Sequence, residues 1–172
     1  MELEEAIRTR RTHKAFGPEP VEPEMLARLF ELARWAPNHH LTNPWRFRVL
    51  GPETVARLKQ IAEVEKPGSG GKLDRAPTLI VASAHTRGDA GERQEDLLAG
   101  AVAAYLVLLA AHGAGLAGYW RTVAFLDSPE AREALGLDPD ELPVGLLHLG
   151  RPRQTQRVPE RAPVSDFVHK LP

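Results

Sequence analysis

The chain has 172 residues, 42% of them hydrophobic, and a net charge of −1 with its seven histidines neutral. That apolar share and balanced charge exclude a largely disordered chain, and the missing basic excess excludes a long electrostatic footprint on nucleic acid. Cysteine is absent, which removes disulfide scaffolds, iron–sulfur clusters, thiolate zinc sites and thiol nucleophiles together, and suits a cytoplasmic location.

The start, Met1 to Glu5, is acidic where an export signal would be basic and then apolar. Glu2 to Arg10 is predicted as a short helix, because Leu3, Ala6 and Ile7 share a face and acids occupy the first turn. A second helix opens at Pro23, presents Met25, Leu29, Leu32, Ala33 and Ala36, and stops at Pro37. A polar loop, Asn38 to Pro44, precedes a strand over Trp45 to Leu50. There Trp45, Phe47 and Val49 alternate with Arg46 and Arg48, predicting one wet face. Glu53 to Glu65 reads as an amphipathic helix, and Lys66 to Ala76 as a Pro/Gly-rich surface loop or lid.

Thr78 to Ala84 is a near-continuous apolar run, hence a buried strand. The next helix runs from about Glu92 to His112, with Gly113 at the place of a left-handed cap. Leu97 to Trp120 holds no Asp, Glu, Lys or Arg. Its dense apolar part, Leu97 to Ala111, is too short to cross a bilayer and predicts a helix buried on all sides, in a core or at a subunit interface. Tyr119 to Phe125 is strand-like. Ser128-Pro129 caps a short helix that Gly136 closes, and Val144 to Gly150 is a last strand. Residues 1–150 form one domain on this reading, and 151–172 an extended arm of it. Strands mixed with helices make the class α/β or α+β.

Several motifs carry candidate chemistry. Gly113, Gly115 and Gly118 spell the dinucleotide-binding G-x-G-x-x-G, but a helix precedes them and a strand follows, the reverse of the required order. Gly68 to Lys72 fails as a P-loop, since Leu73 stands where a magnesium-binding hydroxyl is needed. His39-His40 lacks a third ligand at metal spacing, and no G-x-S-x-G is present. Arg10-Arg11-Thr12 is stronger: two guanidinium forks and a hydroxyl form a compact anion grip.

Arg10-Arg11-Thr12 and the stretch Ala36-Pro37-Asn38-His39-His40-Leu41-Thr42-Asn43-Pro44-Trp45-Arg46-Phe47 together resemble the FMN-dependent nitroreductase family. Gly118-Tyr119-Trp120-Arg121-Thr122, Ser128-Pro129 with Arg132 to Gly136, and Val144-Gly145 through Gly150 are similar to its short-form members, so the likeness spans nearly the whole chain. The resemblance implies an α+β three-layer sandwich, with a mixed or antiparallel sheet flanked by helices, in an intertwined homodimer. It implies noncovalent FMN between the subunits and NAD(P)H as donor. Hydride would pass through flavin N5 to a nitroaromatic, quinone or similar small oxidant, with no catalytic side chain and no metal.

Residue by residue, it assigns Arg10, Arg11 and Thr12 to the phosphate and ribityl side of the flavin. Trp35 and His39 contact flavin across the interface, and Trp120, Arg121 and Thr122 lie on its other side. His40 shapes the substrate pocket, Lys14 stands near the pyrimidine edge, and Asn43 replaces the family's usual Gln. Neither nucleic acid nor membrane is an expected partner. Two other readings remain open on the residues: an FMN-binding sensor or store with little turnover, and a Rossmann-type NAD(P) enzyme using Gly113, Gly115 and Gly118.

Overall fold

The computed structural model describes all residues 1–172. Its first helix, α1 (Leu3–Thr9), gives way to an extended segment. Then come α2 (Pro23–Ala33), β1 (Trp45–Val49), α3 (Pro52–Glu65) and β2 (Thr78–His85). After these follow the long α4 (Ala90–Gly113), β3 (Ala117–Arg121), α5 (Pro129–Leu135) and β4 (Glu141–Gly150). The strands make one sheet in the order β1-β2-β4-β3, every neighbouring pair antiparallel. A parallel bridge between Thr12 and Gly118 lays the segment after α1 along the outer edge of β3.

Successive strand side chains point to opposite faces, and this alternation builds two cores. Ile80, Ala82 and Ala84 of β2, with Leu147 and Leu149 of β4, meet Leu29 and Ala33 of α2 and Ala104 and Val107 of α4. On the other side Leu79, Val81 and Leu146 meet Leu58 and Ala62 of α3 and Ala131 and Leu135 of α5. The result is the predicted α+β three-layer sandwich. β2, paired on both edges and covered on both faces, buries every residue from Thr78 to Ala84.

Asp89 caps α4 by accepting from Gly91 N at 2.8 Å and Glu92 N at 3.0 Å, while Glu92 accepts in return from Asp89 N at 2.9 Å. By length and composition α4 could cross a bilayer. Instead its small residues pack it on the sheet, and a Cβ on Gly100 would stand 2.9 Å from that of Ala84. Only one face is covered, however. Leu98 is 59% exposed and Val102 40%, so one copy of the chain does not bury the helix on all sides as predicted.

Other expectations need correction. Gly113 is the last helical residue, and the left-handed residue is Gly115, at φ 80°. β3 stops at Arg121, and Ala124–Asp127 is a 3-10 turn. The Lys66 to Ala76 segment is no lid: Gly68 N and Gly70 N donate to Glu63, and Leu73 is buried. In β1, Arg48 turns inward to a buried carboxylate, Glu141, with Nη2 2.9 Å from Oε2, and Val49 is left exposed. Beyond Gly150 the arm makes one bridge, Pro152 to Phe16, and leaves Val158, Val164, Phe167, Val168 and Leu171 exposed.

Candidate active site

α4 is the frame on which the candidate residues are mounted. Just past α1, His13 N donates to Gly118 O at 3.1 Å, which fixes the Arg10–His13 segment against β3. The Arg10 guanidinium carbon lies 5.6 Å from the Tyr105 ring centroid, midway along α4. Arg11 donates from Nη1 to its neighbour's carbonyl, Arg10 O, at 2.6 Å, and its buried Nε has no partner in the chain. Thr12 is exposed. No carboxylate pairs with Arg10, Arg11 or Arg121, although eight other ion pairs form. The segment is therefore a concentrated, uncompensated positive field.

Two histidines that sequence reasoning missed join it. His13 is buried with Nδ1 unpartnered. His112, at the end of α4, has Nε2 2.8 Å from Thr9 Oγ1. Burial first, then the charge of Arg10, holds both imidazoles below their ordinary pKa. His13 lies beside the arginines in sequence, whereas His112 is about 100 residues away and gave no local signal.

At the other end of α4 lies the loop from Asn38. His40, Leu41 and Asn43 all take positive φ, at 49°, 53° and 47°. Such backbone is strained for non-glycine residues by about 1–3 kcal/mol each, least for Asn. The strain is held by a set of pins. Asn38 Oδ1 accepts from Asn43 N at 2.9 Å, and Thr42 Oγ1 donates to Asp96 Oδ1 at 2.7 Å. The other oxygen of Asp96, itself buried, accepts from Arg87 N at 3.1 Å. His39 Nδ1 meets Glu95 Oε2 at 3.0 Å. Glu95 and Asp96 were invisible to motif reasoning because they sit on a helix read only as apolar. Trp35, 75% exposed, stands free beside Arg34.

On β3, Trp120 and Arg121 point to opposite faces. Trp120 packs toward α2 and α4 and donates from Nε1 to Val144 O at 3.2 Å. Arg121 lies on the side of His148, with Nη1 buried and unpartnered. Thr122, just past the strand, opens a cleft of about 570 Å³ lined also by Leu97, Ala124, Val144 and Gly145. The sequence grouped Trp120, Arg121 and Thr122 on one side of a ligand; the structure sends the Trp120 and Arg121 side chains apart. Gly113 to Gly118 run from a helix into a strand, so no helix N-terminus follows them to hold a pyrophosphate, and the Rossmann reading falls.

One copy does not gather all these residues. His39 is tied at Glu95 and Arg10 at Tyr105, ten residues or about 15 Å apart along the helix.

A family model described as Nitroreductase family matches residues 7–151. Over 177 residues the chain is 26% identical to the candidate NAD(P)H nitroreductase YfhC of Bacillus subtilis, covering 95% of this chain and 91% of that protein. It is 29% identical over 163 residues to the similarly named YdjA of Escherichia coli K12, 88% of each chain. A nitroreductase-like protein of Bacillus cereus superposes with TM-score 0.89 at 23% identity, covering 99% of this chain and 96% of that one. The NADPH:FMN oxidoreductase of Vibrio harveyi, solved with NAD+, gives 0.83 at 20% identity, covering 98% and 76%. At these identities the structures establish the fold.

Proposed function

The chain belongs to the nitroreductase family, and on that footing we propose that it is an NAD(P)H-dependent flavin oxidoreductase. It holds FMN noncovalently between two copies and reduces a small oxidant of the nitroaromatic or quinone type. The observation that carries this reading is the acid-free arginine pair after α1: Arg10 and Arg11 lack carboxylate partners, and Arg11 Nε is a buried donor with no acceptor in the chain. A buried donor of that kind calls for an anionic or acceptor-rich ligand, and a flavin phosphate with its ribityl chain and pyrimidine carbonyls fits it.

When bound, FMN supplies the redox chemistry, hydride transfer at its N5. The chain's own work is binding, orientation and electrostatics. Arg10, Arg11 and Thr12 grip the phosphate and ribityl side. Trp120 walls the site, and Thr122 offers a hydroxyl in the adjoining cleft. Arg121 serves through its main chain, whose carbonyl borders the space where a Gly145 side chain would stand. Lys14 adds positive charge toward the pyrimidine edge, which favours an anionic reduced flavin. Trp35 and His39 come from the second copy, and His40 bounds the oxidant's slot.

Three features support the second copy: the bare face of α4 at Leu98 and Val102, the unpaired outer edge of β1, and the apolar side chains along 151–172. Exposed apolar surface of this extent marks an interface. Residues 1–150 and the arm are one functional unit on this reading.

Absorbance tests the function. Purified protein should carry flavin absorbance that NADPH bleaches. A flavin that stays oxidised under NADPH would leave only a binding or storage role, and a protein that FMN cannot reconstitute would refute the assignment. Sedimentation at low micromolar concentration should show one species near twice 18.9 kDa; a flavin-loaded monomer would refute the shared site.

A further inference from the structure

Between the end of α1, the end of α4 and the arm lies a second cleft, of about 370 Å³. Thr9, Arg11, His13 and His112 line it from the folded body, and Gln154, Thr155 and Gln156 from the arm. Its polar equipment is unspent. His13 is 9% exposed, and its Nδ1 is buried without a hydrogen-bond partner, as is Nε of Arg11. Leaving such atoms unpaired is costly, so Arg11 Nε calls for an acceptor from outside the chain, and His13 Nδ1 for a partner there. No carboxylate lines the cleft, which turns it against cations and toward an oxyanion.

The tautomer of His112 follows from its neighbour. Thr9 Oγ1 donates its only proton to Glu5 O at 2.6 Å, so it accepts from His112 Nε2 at 2.8 Å. Neutral His112 is thereby the Nε2–H form, and a gained proton would go to Nδ1 as a new donor. The charged groups bearing on these rings are Arg10 on both, with His13, Arg11 and Glu5 on His112 as well. An anion in the cleft offsets the arginine charge that helps to hold the rings neutral.

Resting on the FMN reading above, we infer that His13 and His112 join Arg11 in binding the cofactor's terminal phosphate, and so set the preference for a flavin nucleotide over the unphosphorylated flavin. Neither histidine takes part in hydride transfer. They are binding residues for a phosphate monoester, one beside the anion grip in sequence and the other brought to it by the packing of α1 on α4.

FMN and riboflavin differ only in that phosphate, so their relative affinities read the contact directly. Titration of flavin-free full-length protein, followed by flavin fluorescence, should show the parent preferring FMN. His13→Phe and His112→Phe should each lower FMN affinity about tenfold, the value of one charge-assisted hydrogen bond, and leave riboflavin affinity unchanged. His13→Asn, which keeps a polar atom near the Nδ1 position, should retain the parent preference. An equal fall for both flavins, or no change for either, would overturn the inference and make the histidines scaffold. The parent protein gives a check that needs no variant: the imidazole nitrogen resonances of His13 and His112 should move with FMN and stay still with riboflavin. Identical responses to the two flavins would refute the phosphate contact while leaving FMN binding intact. A parent that binds neither flavin would refute the FMN reading itself.

Discussion

His148 should make the protein acid-labile from a pH above the range in which carboxylates titrate. The residue sits on β4 with its side chain fully buried and stacked on Tyr119, ring centroids 5.4 Å apart, and neither ring nitrogen has a partner. Burial first, then the charges of Arg121 and Arg75, lowers its pKa from 6.5 to about 4. The unfolded chain therefore binds a proton near pH 6.5 that the native chain refuses until about pH 4. Stability from this group is complete above the unfolded value and is lost as pH falls toward the folded one. Linkage over that interval gives a loss of about 2 kcal/mol between pH 7 and pH 5, and about 3 kcal/mol by pH 4. His13 and His112 are depressed too, so the clean readout is a difference. Urea unfolding of the parent and of His148→Leu, at pH 7, 6 and 5, isolates the His148 part. The variant should match or exceed the parent at pH 7, because two unpaired buried nitrogens are removed, and should gain on it by about 2 kcal/mol at pH 5. Parallel pH dependence of the two proteins would refute the reasoning.

Arg10→Ala should weaken FMN binding ten- to a hundredfold, the loss of one charge-assisted contact of about 1.5–3 kcal/mol, as read by fluorescence titration. Asp96→Ala should strand the Thr42 hydroxyl and the Arg87 amide, lowering stability by about 1–3 kcal/mol in chemical denaturation. Amide exchange should quicken through residues 38–44 and leave β2 protected. Gly145→Ala would drive a methyl into Trp120 Nε1 and to 2.8 Å from Arg121 O. The displaced indole should break from Val144 O at a loss of about 1–3 kcal/mol, visible as a lower melting temperature and altered tryptophan fluorescence.

Much of the fold was legible because its signals are local. Pro23 at a helix start, Ser128 with Pro129 at another, and left-handed Gly136 at its end all act within one turn. The apolar run Thr78 to Ala84 read as a buried strand and is β2, covered on both faces. What failed depended on partners far along the chain. Arg48 looked solvent-facing until Glu141, 93 residues away, drew it inward. Trp120 and Arg121 were joined by a motif, although neighbours on a strand must face opposite ways. In the site, Arg10 to Thr12 stood out by composition, and the His39 loop by its resemblance to the family. His112 did not, because only packing brings it to Thr9 across 103 positions. Glu95 and Asp96 were hidden for the same reason, each being a partner to residues that carry the visible pattern.

Mounting the pieces on a single helix has a consequence for how this sequence can vary. Glu95, Asp96, Tyr105 and His112 hold the two ends and the middle of the site from one unbroken α4. Side chains on its bare face touch nothing within the copy, so only a second copy would constrain them. The number of residues between those four is constrained within the copy, because one inserted residue turns everything beyond it by about 100° and advances it by about 1.5 Å. Length variation should therefore collect in the loops and the arm and stop at the boundaries of this helix, whatever its side chains become.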